Sequence, residues 1–421
     1  MIHQALPLLA VLVTLVVVLR KLAVHPKTLK AFQVLPLPFW CYVIPMLGTS
    51  FKLLPAGHPL YNFLSQQLLP ICLTLLLIGV DLKGIAGLGV MAICLMLTGS
   101  LGTILGGLLS FKLYHRWLPA QAWAGIGALS ASWIGGSANL LAVKEALHVP
   151  DTLVGSLVIV DACVAYSWMA FLIWTSTLQS RWDRWVFTGG VRSFACTAPA
   201  PGPEGAVRGS TSSPRTERFK AVRPEPVEGR SGLRMPSNPT PDGWPRIPWL
   251  IAAVAMSLLI SGLAQLAGNR LPTIGQVINP QTWTVLLVTT AALGLSLTPL
   301  SKLEEAGVSK VGTFALCVLL VSIGARADFK AIAGAPAFLA LGLTWILIHG
   351  ACLAVAGYLL KAPLGLIATA SQANIGGPIS APIVGATFSS QLATVGLLMA
   401  ILGNILGTYL GLLTAFLARL L

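Results

Sequence analysis

The chain has 421 residues, of which 55% are hydrophobic and only 10% charged, with 42 glycines and a mean hydropathy of +0.81. A soluble domain carries about one charged residue in four, so this composition excludes an ordinary soluble protein. The net charge of +14 would point to nucleic acid in a soluble chain, but here it is divided between short loops and one polar insert, and it is read as membrane orientation.

A transmembrane helix needs about 20 mainly apolar residues. Taken in chain order, the first half offers apolar segments near 5–24, 33–53, 60–80, 85–111, 119–147 and 151–178. The second half offers segments near 247–268, 276–298, 308–325, 334–360, 363–387 and 391–418. No basic stretch precedes the first segment, and Arg20 and Lys21 follow it without a small-residue cleavage site. It is therefore expected to be a retained span and not a signal peptide. The fold class that follows is an all-α polytopic membrane protein with about 10–12 spans. It comprises a first membrane repeat (1–180), a polar linker or insertion (181–246) and a second membrane repeat (247–421).

The connection is distinct in composition. Proline, glycine, serine and arginine dominate residues 186–246, as in Ala198-Pro199-Ala200-Pro201-Gly202-Pro203. Such a segment cannot bury enough apolar area to offset the entropy of ordering, so it is expected to be a disordered linker. Its arginines leave open a contact with anionic lipid.

Two motifs recur in the same order in both halves. Trp133-Ile134-Gly135-Gly136-Ser137-Ala138-Asn139 lies over Asn374-Ile375-Gly376-Gly377-Pro378-Ile379-Ser380. Upstream, Leu77-Ile78-Gly79-Val80-Asp81-Leu82-Lys83 lies over the stretch from Ser322 to Lys330. Downstream, Asp161 and Asn404 form a looser third match. A glycine pair is unfavourable inside a helix, and Pro378 also lacks an N–H and clashes with the preceding turn. Each copy should therefore break its helix. Broken backbone inside a bilayer is tolerated only where it faces protein or a wet cavity, and duplicated halves with interrupted helices are a secondary-transporter architecture. The competing reading of a glycine pair is a notch for close helix packing. Polar neighbours at both copies, Ser130, Ser132, Ser137 and Asn139 in one and Ser371, Gln372, Asn374 and Ser380 in the other, favour a binding site.

Charge in the loops bears on topology. Arg20, Lys21, Lys27 and Lys30 crowd the first connection, which places it in the cytoplasm and the N-terminus outside. The arginine-rich connection should be cytoplasmic as well. Both placements hold if 119–147 is a re-entrant hairpin, leaving five crossings and an inverted second half, although another miscounted segment restores parity equally well. Within the apolar segments Asp161 stands out, because charge at that depth is costly and marks an ion or proton path. His349 is read as a structural hydrogen-bonding residue. Asp81, Lys83, Arg326, Asp328 and Lys330 are read as boundary residues that snorkel. The seven cysteines show no CxxC pair or zinc-ligand spacing, and no metal site or resident cofactor is expected.

Three pieces, Gly135 to Leu147, Ala370 to Pro378 and Leu406 to Gly411, resemble the family labelled domain of unknown function 819, over nearly the whole chain except residues 186–246. That family is itself distantly similar to the bile-acid, arsenite and riboflavin type of transporter and to glutamate and citrate sodium symporters. The resemblance implies inverted repeats, glycine-rich re-entrant or crossed helices and, by analogy, a homodimer. It carries a site role onto Gly135, Gly136, Ser137 and Asn139 and onto Gln372, Asn374, Gly376, Gly377 and Ser380. Asp161 and Asn404 join them from the residues alone.

The functional expectation is a secondary transporter of a small anionic organic solute, coupled to Na⁺ or H⁺, in the bacterial cytoplasmic membrane. Its partners would be the lipid bilayer and the solute, with no nucleic acid. A channel or a membrane sensor is the alternative. An enzyme is not expected, because no HExxH, paired-aspartate or Ser-His arrangement is evident within the apolar segments, and no phosphate loop supports ATP-driven pumping.

Overall fold

The computed structural model describes residues 4–35, 37–80, 84–85, 87–186, 247–275, 277–327 and 335–421. Asp81, Lys83, Asp328, Lys330 and the connection from 187 to 246 lie outside the described residues. Met1–Thr188 and Trp244–Leu421 together form one compact unit.

All twelve expected segments are occupied by helix. In the first half these are α1 (Ala5–Val24), a short α2 (Leu29–Val34), α3 (Leu37–Ser50), α4 (Pro59–Leu77) and α5 (Val90–Tyr114). The broken pair α6 (Ala122–Gly135) and α7 (Ser137–Ala146) follows, then α8 (Asp151–Thr175) and α9 (Gln179–Val186). The second half runs α10 (Ile247–Gly268), α11 (Pro280–Ser296), α12 (Val308–Gly324), α13 (Ala335–Leu359), the broken pair α14 (Leu364–Ile375) and α15 (Gly377–Phe388), and α16 (Ser390–Leu420). Seven helices among the described residues are long and apolar enough to cross a membrane, and α11 with the 3₁₀ turn at Pro299–Ala306 makes a further candidate bent by 94°. The remaining segments are shorter or interrupted, which is why 10–12 expected spans yield fewer uninterrupted ones.

Small residues determine which helices meet. On α5, Gly106 and Gly107 leave room for the fully buried Trp345 of α13, whose Nε1 donates to the Thr103 carbonyl at 2.6 Å. On the other side Gly127 of α6 and Gly411 of α16 pack reciprocally: a Cβ on either would stand 2.9 Å from the carbonyl oxygen of the other. Lipid offers no hydrophobic drive for helix pairing, so close backbone approach through small residues supplies it. Trp133 and Trp345 then fill the space between α6 and α13, with ring centroids 4.8 Å apart.

The amphipathic α9 extends six residues into the stretch assigned to the linker. It docks on the second half: Trp182 donates to the Ala362 carbonyl, Asp183 accepts from the Leu364 amide, and Trp185 stacks on Tyr358 at 4.8 Å. A third helix-spanning contact is buried and polar. His349 of α13 is fully buried, with Nδ1 at 3.0 Å from the Gly99 carbonyl and Nε2 at 3.0 Å from Ser371 Oγ. The carbonyl can only accept, so Nδ1 carries the proton and Nε2 accepts from the Ser371 hydroxyl, whose oxygen in turn accepts from Trp168 Nε1 at 2.8 Å. His349 is thus a satisfied structural residue that ties α5, α8, α13 and α14 together.

Candidate functional site

Each glycine pair breaks its helix in the same local way. The second glycine of each pair takes a positive φ, +80° at Gly136 and +69° at Gly377, a backbone region that residues with a Cβ rarely adopt. Three residues further on, a polar side chain reaches back across each break. Asn139 Nδ2 donates to the Gly135 carbonyl at 2.5 Å, while Ser380 Oγ accepts from Gln372 Nε2 at 2.8 Å. Neither α7 nor α15 has a side-chain cap at its start, so first-turn N–H groups are left for another partner.

The two breaks line one cavity of about 140 Å³. Ser132, Gly136 and Ser137 face it from one break, and Gln372, Gly376 and Ser380 from the other. Asp161 completes the wall from α8, with its Oδ2 accepting from Ser132 Oγ at 3.1 Å. Tyr166 and Phe39 join from α8 and α3, amid apolar side chains such as Leu140 and Val158. Gln372 is only 1% exposed, and its Oε1 has no hydrogen-bond partner. A buried carbonyl oxygen without a donor costs about 1–3 kcal/mol, and Gln372 is one of the residues of the cavity wall.

The other expected residues are used differently. Asn374 is turned away, into α5: Ser100 Oγ donates to its Oδ1 at 2.8 Å, and its Nδ2 donates to the Met96 and Ala370 carbonyls. Asn139 is held by α16, donating to the Asn404 carbonyl at 3.2 Å and accepting from Thr408 Oγ1 at 2.5 Å. Asn404 therefore meets the first break through its backbone, although its Oδ1 also lies 3.8 Å from where a Cβ on Gly136 would stand. Gly135 is packed against the Gly403 carbonyl, and a Cβ there would come within 2.8 Å of it. Gly377 shapes its break without lining the cavity. Among the polar neighbours, Ser130 faces Thr414 at 3.0 Å and Ser371 serves His349.

Removing a clamp group should have a measurable cost. Thr408→Val deletes the interhelical hydrogen bond to Asn139 and leaves its buried Oδ1 without that donor, a loss of about 1–3 kcal/mol. The expected result is a lower melting temperature of the solubilised protein, with the cavity residues still in place.

Sequence reasoning passed over a second polar cluster. Lys144 Nζ lies 2.5 Å from Glu145 Oε1 and 2.9 Å from Asp151 Oδ1, while Arg326 lies 3.4 Å from Glu145 and 3.3 Å from Asp151. Arg326 also donates to Asn62 Oδ1 and Ser65 Oγ on α4. It is 13% exposed and Lys144 only 4%, so Arg326 is a paired internal residue and not a snorkelling boundary. The adjacent charges Lys144-Glu145 inside an apolar segment were the available signal.

Paired breaks and apolar helices define a polytopic helical membrane protein, embedded in a lipid bilayer. Residues 8–197 and 244–420 match the family described as Protein of unknown function (DUF819). The chain belongs to this family, and the match leaves out 198–243, most of the polar connection. It is also 24% identical over 372 residues, 87% of this chain and 86% of the relative, to the uncharacterized membrane protein YjcL of Bacillus subtilis (strain 168).

Proposed function

We propose that the protein is a secondary carrier. It moves a small organic solute bearing an anionic group by alternating access, coupled to Na⁺ or H⁺, and has no catalytic role. The observation that carries this reading is the convergence of two helix breaks, from opposite halves of the chain, on one cavity that also contains Asp161. Uncapped helix starts supply N–H donors and a positive dipole end for an anionic group. Asp161 supplies the negative charge that a coupling cation or proton requires. The volume agrees with a small cargo, since sites for drug-sized ligands occupy about 300–1,000 Å³. On this reading the halves are inverted repeats, the N-terminus lies outside and the polar connection inside.

The test is uptake by purified protein in proteoliposomes under an imposed inward Na⁺ gradient or an acid-outside pH gradient. Concentrative, saturable uptake that collapses when an ionophore dissipates the gradient is the expected result. Flux that only runs downhill and ignores the ionophore would make the protein a channel.

A further inference from the structure

The charge of the cavity constrains its occupant beyond the carrier reading, on which this inference rests. Among the described residues no lysine, arginine or histidine lines the cavity, whereas the Asp161 carboxylate does. Each break contributes one helix C-terminus and one helix N-terminus, whose partial charges of about half an elementary charge have opposite sign. They offset each other, and Asp161 in its ionised form leaves an excess of negative charge. A solute that is only anionic fits this poorly. One that carries its own cation fits it well.

The acceptors and donors are also segregated. Asp161 and the unpartnered Oε1 of Gln372 are acceptors, and an ammonium offers three donors on a compact charge. The first-turn amides of α7 and α15, together with the Ser137 hydroxyl, are donors suited to a carboxylate. Asp161 is tethered to Ser132, which precedes Gly136 by four residues, about 6 Å of helix rise. That short separation suits a compact solute whose ammonium and carboxylate lie close together. Leu140, Val158, Ala162 and Ile375 leave an apolar wall for a small side chain.

We infer that the occupant is a small zwitterion of the α-amino acid type, its ammonium on Asp161 and Gln372 and its carboxylate at the starts of α7 and α15. L-Alanine, propionate and ethylamine separate the two charges on nearly the same skeleton. Thermal denaturation of the full-length protein in detergent, with and without Na⁺, reads their binding, because a ligand of the folded state raises the melting temperature. L-Alanine should raise it by several degrees, whereas the two singly charged analogues at equal concentration should leave it unmoved. Gln372→Met should weaken the L-alanine effect about tenfold or more in concentration, the loss of one hydrogen bond to a charged group. A propionate shift as large as that of L-alanine would overturn the zwitterion and leave the carrier standing. Absence of any L-alanine shift would also overturn it, and gradient-driven uptake in proteoliposomes then decides separately whether the carrier reading falls with it.

Discussion

Replacing Arg326 with alanine will destabilise the protein by about 3 kcal/mol, the lower end of what breaking a buried ion pair costs. Lys144, Glu145, Asp151 and Arg326 form a neutral quartet that joins the α7–α8 corner to the end of α12. Without Arg326, two carboxylates share one lysine, and Asn62 and Ser65 lose their donor. Asp151 is 25% exposed, so water recovers part of the loss and the upper end of the range does not apply. The measurement is thermal unfolding in detergent. A second variant separates lost charge balance from lost packing: Arg326→Leu combined with Asp151→Leu leaves Lys144 paired with Glu145, and it should recover a good part of what Arg326→Leu loses. If Arg326→Ala melts like the wild type, the quartet is solvated and contributes no net stability.

The quartet also shows where the sequence stops being informative. Segment positions follow from composition alone, because a bilayer imposes about 20 apolar residues on each crossing. Helix breaks follow from Gly135-Gly136 and Gly376-Gly377-Pro378, since backbone sterics act locally. Asp161 is legible for the same kind of reason, as a charge within an apolar run. The direction a side chain takes is another matter, because it depends on how distant helices cross. Asn139 and Asn374 carry ligand chemistry, yet α16 takes up the first amide and α5 the second. Gln372, two residues before Asn374, faces the cavity instead. Arg326 lies at the end of an apolar segment, where snorkelling is the ordinary expectation, and only the approach of α4 and the α7–α8 corner turns it inward.

Asp161→Asn is expected to abolish gradient-driven uptake while the protein still folds. The substitution keeps the shape of the side chain, and Ser132 can still donate to the amide oxygen as it now donates to Oδ2. Stability should hold or rise, because a neutral amide in the membrane interior costs less than a carboxylate. Binding should fall by roughly 10- to 100-fold, the equivalent of losing an interaction with a charged group. The same variant separates the two coupling ions. With Na⁺ coupling, Na⁺ should no longer stimulate uptake or raise the melting temperature. With H⁺ coupling, the permanently neutral side chain has no proton to take up or release, so a pH gradient should no longer drive accumulation. Ser132→Ala provides the companion case: it leaves the carboxylate and removes its tether, so the half-saturation concentration should rise with coupling intact. Driven uptake by Asp161→Asn at the wild-type rate would remove Asp161 from the mechanism and return the convergence of the two glycine breaks to a matter of helix packing.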